Sequence, residues 1–144
     1  MAEKAWVIAV NMGYGHQRTA FPLRDLAFEG EIININDYFG IPQKDREIWE
    51  SIRKGYEAVS NFKKTPLIGE FVFYLMDRFQ KILDFYPKRD LTKPNTQLLQ
   101  TYGTIKTGWG KDLIEKLKAK NPNIPLISTF FTPAFMAEYF GYPG

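Results

Sequence analysis

"AWVIAVNMGYGHQRTA", residues 5–20, holds an apolar run that stops at a glycine pair and the single histidine of the chain. The run, 5–12, is β-branched in part and carries no charge, the pattern of a parallel strand buried on both faces. A strand with one wet face would alternate with polar residues instead. Past Gly15 the period changes. Ala20, Leu23, Leu26 and Ala27 fall at helical spacing, with Gly30 as the C-terminal stop. Pro22 is tolerated only in the first turn of a helix, so the helix is expected to begin near Thr19 or Ala20 rather than at His16.

Working outward, "EIININDYF" (31–39) is rich in Ile, ends in Asn-Asp and reads as a second strand. Strand, helix and strand make a βαβ unit, whose crossover is expected to be right-handed. "DREIWESIRKGYEAVSNF" (45–62) places Ile48, Trp49, Ile52, Tyr56 and Val59 on one helical face. "TPLIGEFVFYLMDRFQKILDFY" (65–86) continues as a long helical pattern, and "PKRDLTKPN" (87–95) reads as a loop. Residues 95–122 read as helical with interruptions around Gly103, Gly108 and Gly110. "IPLISTFF" (124–131) is the third strand candidate, and "TPAFMAEYFG" (132–141) a helix capped by Thr132 with Pro133 at its first position. The expected fold is α/β: one doubly wound, Rossmann-like parallel sheet over 1–144 with a helical insertion. Three strands make a small sheet for so many helices, and the sequence stops at "FGYPG" directly after one. It is therefore expected to be the amino-terminal piece of a longer, two-domain protein.

The bulk numbers agree with a single packed domain. The chain has 144 residues, 44% hydrophobic and 24% charged, enough for an ordinary core. Aromatics reach 16%, which suits either a core of large side chains or an aromatic surface facing a lipid, a base or a partner. There are no cysteines and one histidine, so disulfides and Cys-based metal sites are excluded and a multi-histidine site is not expected. "MAEKAWVIAV" is too short and too acidic for a signal peptide, and no run reaches the roughly 18 apolar residues of a membrane span. A cytoplasmic protein is the expectation. The net charge of +3 is acidic in the first third and basic thereafter, without the basic stripe that nucleic-acid binding requires.

The chemistry concentrates at the glycine loop. In open α/β sheets ligands bind where a strand's carboxyl end meets the next helix. Backbone N–H groups at such a turn favour an anion. Gly13 and Gly15 allow a sharp turn and a close ligand, and His16 can hydrogen-bond a phosphate or act as a base near neutral pH. A tight turn whose histidine is satisfied by a neighbouring carbonyl is the plainer alternative. The dinucleotide fingerprint is absent, because its third glycine would fall at Arg18, and no Walker lysine follows.

"VIAVNMGYGHQRTAFPLRDLA" resembles the first strand, glycine loop and helix of GT-B glycosyltransferases of family 28. It is most similar to monogalactosyldiacylglycerol synthases and bacterial diacylglycerol glucosyltransferases, which carry Gly-Gly-Gly-His, a short polar stretch and alanine. Gly13, Gly15, His16 and Ala20 match that motif, whereas Tyr14 puts a side chain where the family keeps bare backbone. "NPNIPLISTFFTPAFMAEYFGYPG" is similar to a later strand and helix of the same amino-terminal domain. The resemblance implies a domain that binds a lipid or other hydroxyl acceptor, facing a second domain that holds a nucleotide-sugar. His16 would be the catalytic base or a diphosphate contact. Independently of the resemblance, Asn11, Gly13, Tyr14, Gly15, Thr129 and Thr132 are expected, from their places at strand ends and in the glycine loop, to line a substrate or phosphate site. Neither metal nor cofactor is implied, since helix dipoles and cations can stabilise a leaving diphosphate. The domain alone would not transfer sugar. Two rivals stay open: a non-catalytic nucleotide- or phosphate-binding module, and a degenerate scaffold relative.

Three other features invite a functional reading. The helix 67–83 combines Phe71, Tyr74, Leu75 and Phe79 with Arg78, Lys81, Lys88, Arg89 and Lys93, suiting either a core or a peripheral contact with an anionic membrane. Ser128, Thr129 and Thr132 offer hydroxyls at a strand end. Asn11, Asn36 and Asp37 sit at strand ends too, where Asp37 could hold a hydroxyl but loop capping is the simpler role. "WGK" (109–111) matches no phosphate loop.

Overall fold

The computed structural model describes residues 4–62, 74 and 92–143. Three parallel strands form one sheet in the order β2-β1-β3, where β1 is Ala5–Ala9, β2 is Ala27–Asn34 and β3 is Leu126–Ser128. The position of β1 explains its composition. It is flanked on both edges, and every one of its residues is buried. Its side chains alternate: Trp6, Ile8 and Val10 enter one hydrophobic cluster, Val7 and Ala9 another.

The two clusters lie on opposite faces and are unequal. On one face, Val7 and Ala9 meet Ala20 and Ala27, with Leu23 and Ile32 packed at the margin. The helical layer here is α1 (Tyr14–Ala20), continued by a 3-10 segment (Phe21–Leu26). On the other face lie α2 (Gln43–Phe62), α3 (Thr96–Ile105), α4 (Lys111–Lys120) and α5 (Phe131–Tyr139). They and the turn at 106–110 bring Trp49, Ile105, Trp109, Ile114 and Met136 onto the sheet. Each fully buried Ile or Met there contributes about 1.5–3 kcal/mol relative to exposure. The fold is thus α/β and Rossmann-like, with helices on both faces of a parallel sheet.

Several boundaries depart from the sequence reading. The helix after the glycines starts at Tyr14, not near Thr19. Two helical segments solve the proline problem, since Pro22 lies in the first turn of the 3-10 segment, where its missing N–H has no partner to lose. Gly30 stops no helix. It lies inside β2, where Glu29 (φ 57°) and Gly30 (φ 72°) form a bulge that takes the pairing from Ala5–Ala27 to Val7–Ile32. Gly103 sits within α3 without breaking it, while Gly108 and Gly110, both at positive φ, do form the break before α4.

Thr132 does not cap the last helix. That helix begins one residue earlier, and its N-cap residue, Phe130, has no side-chain cap bond. The turn is closed by Ser128, whose hydroxyl donates to the Phe130 carbonyl at 2.6 Å and accepts its N–H at 3.3 Å. Of the helix expected at 65–86 and its basic flank, only Tyr74, helical and exposed, and Lys93, also exposed, are among the described residues; the rest lies outside them. Among the described residues no helix is long and apolar enough to cross a membrane.

Candidate functional site

The strand order reverses at β1. The chain leaves β1 toward β2 on one side, and β3 returns on the other, so the carboxyl ends of β1 and β3 flank a crevice. Two connections meet there, residues 10–16 after β1 and residues 129–131 after β3. The His16 imidazole packs edge-on against the Phe130 ring, with centroids 5.1 Å apart and planes at 73°. The Thr129 hydroxyl lies 3.5 Å from the carbonyl oxygens of both Ile8 and His16, the outer limit of hydrogen bonding. Its N–H donates to Ile8 O at 3.0 Å and extends the β1–β3 ladder by one step. His16 is only partly covered and therefore reaches solvent at this rim.

The loop is held by amides. Asn36, just past β2, accepts from the Asn11 N–H at 2.8 Å and donates its Nδ2 to the Asn11 carbonyl at 2.9 Å. This reciprocal pair acts as one more rung of parallel sheet. The Asn11 side-chain oxygen in turn accepts from Gln17 Nε2 at 3.0 Å, tying the loop to the first turns of α1. Asn11 was expected as a ligand contact; its oxygen is engaged in orienting the helix that carries His16. Gln17 and Phe130 escaped the sequence reading, which placed Asn36 at a strand end without pairing it to Asn11. The signal for Asn36 was present, since Asn11 and Asn36 occupy matching places just beyond neighbouring strands.

The remaining expected residues separate into exposed and covered. Gly13 precedes α1 at φ 130°, ψ 160°, a conformation that side chains scarcely adopt. Gly15 lies inside the helix, and a Cβ built on either glycine meets nothing within 4 Å. Tyr14, the departure from the family motif, projects outward and is 80% exposed. Thr132 is buried at 3% and belongs to the wall of a groove between α2, α3 and the start of α5. Asp37 is ion-paired with Arg46 at 3.8 Å. Among the described residues no group of three His, Cys, Asp or Glu side chains could hold a metal ion.

Aromatic contacts join this rim to the larger core. Phe130 touches His16 on one side, Phe131 at 4.4 Å, and Trp49 at 6.4 Å on the other. Trp49 packs on Trp109 at 4.7 Å. The arrangement offers one imidazole at the mouth of an open crevice, carried by a bare-backboned turn and braced by a ring from the core. Chemically it can accept a proton from a hydroxyl or donate one to a phosphate oxygen. No protein-family profile, curated protein or solved structure matches this chain.

Proposed function

We propose that this chain is the acceptor-binding, amino-terminal domain of a GT-B glycosyltransferase, with His16 as the base that deprotonates the acceptor hydroxyl. One observation carries the reading: His16 stands partly exposed between the carboxyl ends of β1 and β3, braced by Phe130. Proton removal there would sharpen an acceptor oxygen for attack on the anomeric carbon of a nucleotide-sugar. The nucleotide would be held mostly by a second domain, and the leaving diphosphate would need no metal. The helices between β2 and β3 would then be an insertion, and the protein would work in the cytoplasm, peripherally on a membrane if the acceptor is a lipid.

The test is transfer by the full natural polypeptide from a panel of labelled nucleotide-sugars to diacylglycerol, a glycosyldiacylglycerol and a free methyl glycoside. His16→Ala is expected to lower kcat by about 10²–10⁴-fold, as for loss of a general base, with an unchanged melting temperature. Transfer that survives His16→Ala, or none with any donor, would reduce the loop to a non-catalytic anion-binding turn.

A further inference from the structure

The groove between α2, α3 and the start of α5 has an unusual lining. Two connected hollows of about 410 and 590 Å³ share Gln97, Thr101 and Phe131, within the size range of small-molecule sites. None of the described residues lining either hollow is ionisable, although 24% of the chain is charged. The polar groups are amides and hydroxyls, among them those of Ser51, Gln100, Thr101 and Thr104. Thr101 and Thr104 donate their hydroxyl protons to helix carbonyls four residues back, which leaves oxygen lone pairs toward any incoming donor. The Phe131 ring, 56% exposed, stands at the junction of the hollows. Trp109 forms part of the wall, and its buried indole N–H has no acceptor among the described residues.

A cavity beside β2 shows the contrast. It is walled by Glu29, Glu31, Lys116 and Lys120, and both lysines are already ion-paired, to Asp112 and Glu29. An anion or cation has a place to compete there. In the groove it would lose hydration and find no counter-charge among the described lining residues. A ligand bearing many hydroxyls and one apolar face loses nothing comparable, because amides and hydroxyls replace its water and a ring covers the C–H face.

We infer that this groove binds an uncharged saccharide, held by Gln100 and the hydroxyls and stacked on Phe131. The inference rests on the transferase reading only in making that saccharide part of the acceptor. Phe130, which braces His16, also lines the groove, so the two sites adjoin.

Binding is measured by saturation-transfer NMR with methyl β-D-galactopyranoside and methyl β-D-glucopyranoside, against methyl β-D-glucuronide as the charged analogue. At least one neutral glycoside is expected to bind saturably, and the glucuronide about tenfold more weakly or not at all. Phe131→Ala, at an exposed ring, is expected to weaken binding about tenfold. Gln100→Ala is expected to weaken it as well, while Phe39→Ala, an exposed aromatic outside the groove, leaves it unchanged. Octyl β-D-glucoside below its micellar concentration separates the sources: a gain over the methyl glycoside points to a glycolipid headgroup, equal affinity to a free saccharide. Saturable binding by none of the neutral glycosides, equal binding of the glucuronide, or indifference to Phe131→Ala overturns the proposal. His16→Ala keeps the two readings apart, since it is expected to slow transfer by about 10²–10⁴-fold and spare glycoside binding.

Discussion

The chain writes glycine–aromatic–glycine twice before a helix, as Gly-Tyr-Gly-His at 13–16 and as Gly-Trp-Gly-Lys at 108–111, and the fold treats the two in opposite ways. At the first, the aromatic stands in solvent, and both glycines face open space. At the second, Trp109 is 3% exposed, and a Cβ on Gly110 would lie 2.8 Å from Met136 Cγ and closer still to its Sδ. Gly110 also donates its N–H to the buried Asp45 carboxylate at 3.0 Å. One turn is bare because the protein needs the room. The other is bare at Gly13 because φ 130° excludes a side chain, and no atom of the described residues lies within 4 Å of where either Cβ would stand.

Gly110→Ala should break the packed turn hardest. The added methyl combines a collision with Met136 and a residue forced to φ 83°, so the unfolding free energy is expected to fall by about 3 kcal/mol or more. Urea denaturation measures it. A loss under about 1 kcal/mol would mean that α4 and α5 slide freely, and the contrast between the turns would fail.

Gly13→Ala comes next. Nothing surrounds the new Cβ, so only the backbone at φ 130°, ψ 160° resists it, at about 2 kcal/mol. Asp45→Ala is expected to remove about 1–2 kcal/mol by stranding the Gly110 N–H, whereas Asp45→Asn keeps an acceptor there. The same residue gives a pH dependence. Burial pushes the Asp45 carboxyl above its ordinary value, the Gly110 N–H pulls it back, the Asp112 charge raises it again, and Lys44 lowers it. The folded state thus holds this proton more tightly than the unfolded state does. Its contribution to stability declines as pH rises from the ordinary carboxylate range through the raised value. Asp45→Asn should flatten that decline in denaturation series taken across the acid range; an unchanged slope would assign it to other carboxyls.

These differences also show how far the sequence could be read. The buried strand 5–9 was legible because a strand paired on both edges must be apolar throughout. The start of β2 was not, since Ala27 continues the helical register of Ala20 and Leu23, and only tertiary pairing with Ala5 pulls it into the sheet. Gly13, Gly15 and His16 were visible as a turn at a strand end, but their brace, Phe130, comes from 114 positions after His16 in the chain. Asp45 reads as an ordinary first-turn acid of α2, and the N–H that it accepts comes from Gly110, 65 positions further on. The groove was invisible for the same reason: its walls come from 48–52, 95–109 and 130–135, each unremarkable alone.

Gly15→Ala gives the smallest change in stability and the sharpest test of what the open turn is for. The position is helical, its Cβ direction is empty, and alanine reduces the freedom of the unfolded chain there. The protein should become more stable by about 0.5 kcal/mol, seen as a slightly higher melting temperature. If a substrate or diphosphate approaches the backbone at this turn, the same methyl stands in its path, and transfer by the full polypeptide should fall about tenfold or more. Stability and activity would then move in opposite directions at one residue, which loss of folding cannot produce. Unchanged transfer in the stabilised variant would show that the ligand keeps its distance from residue 15, and His16 would have to act from the crevice side alone.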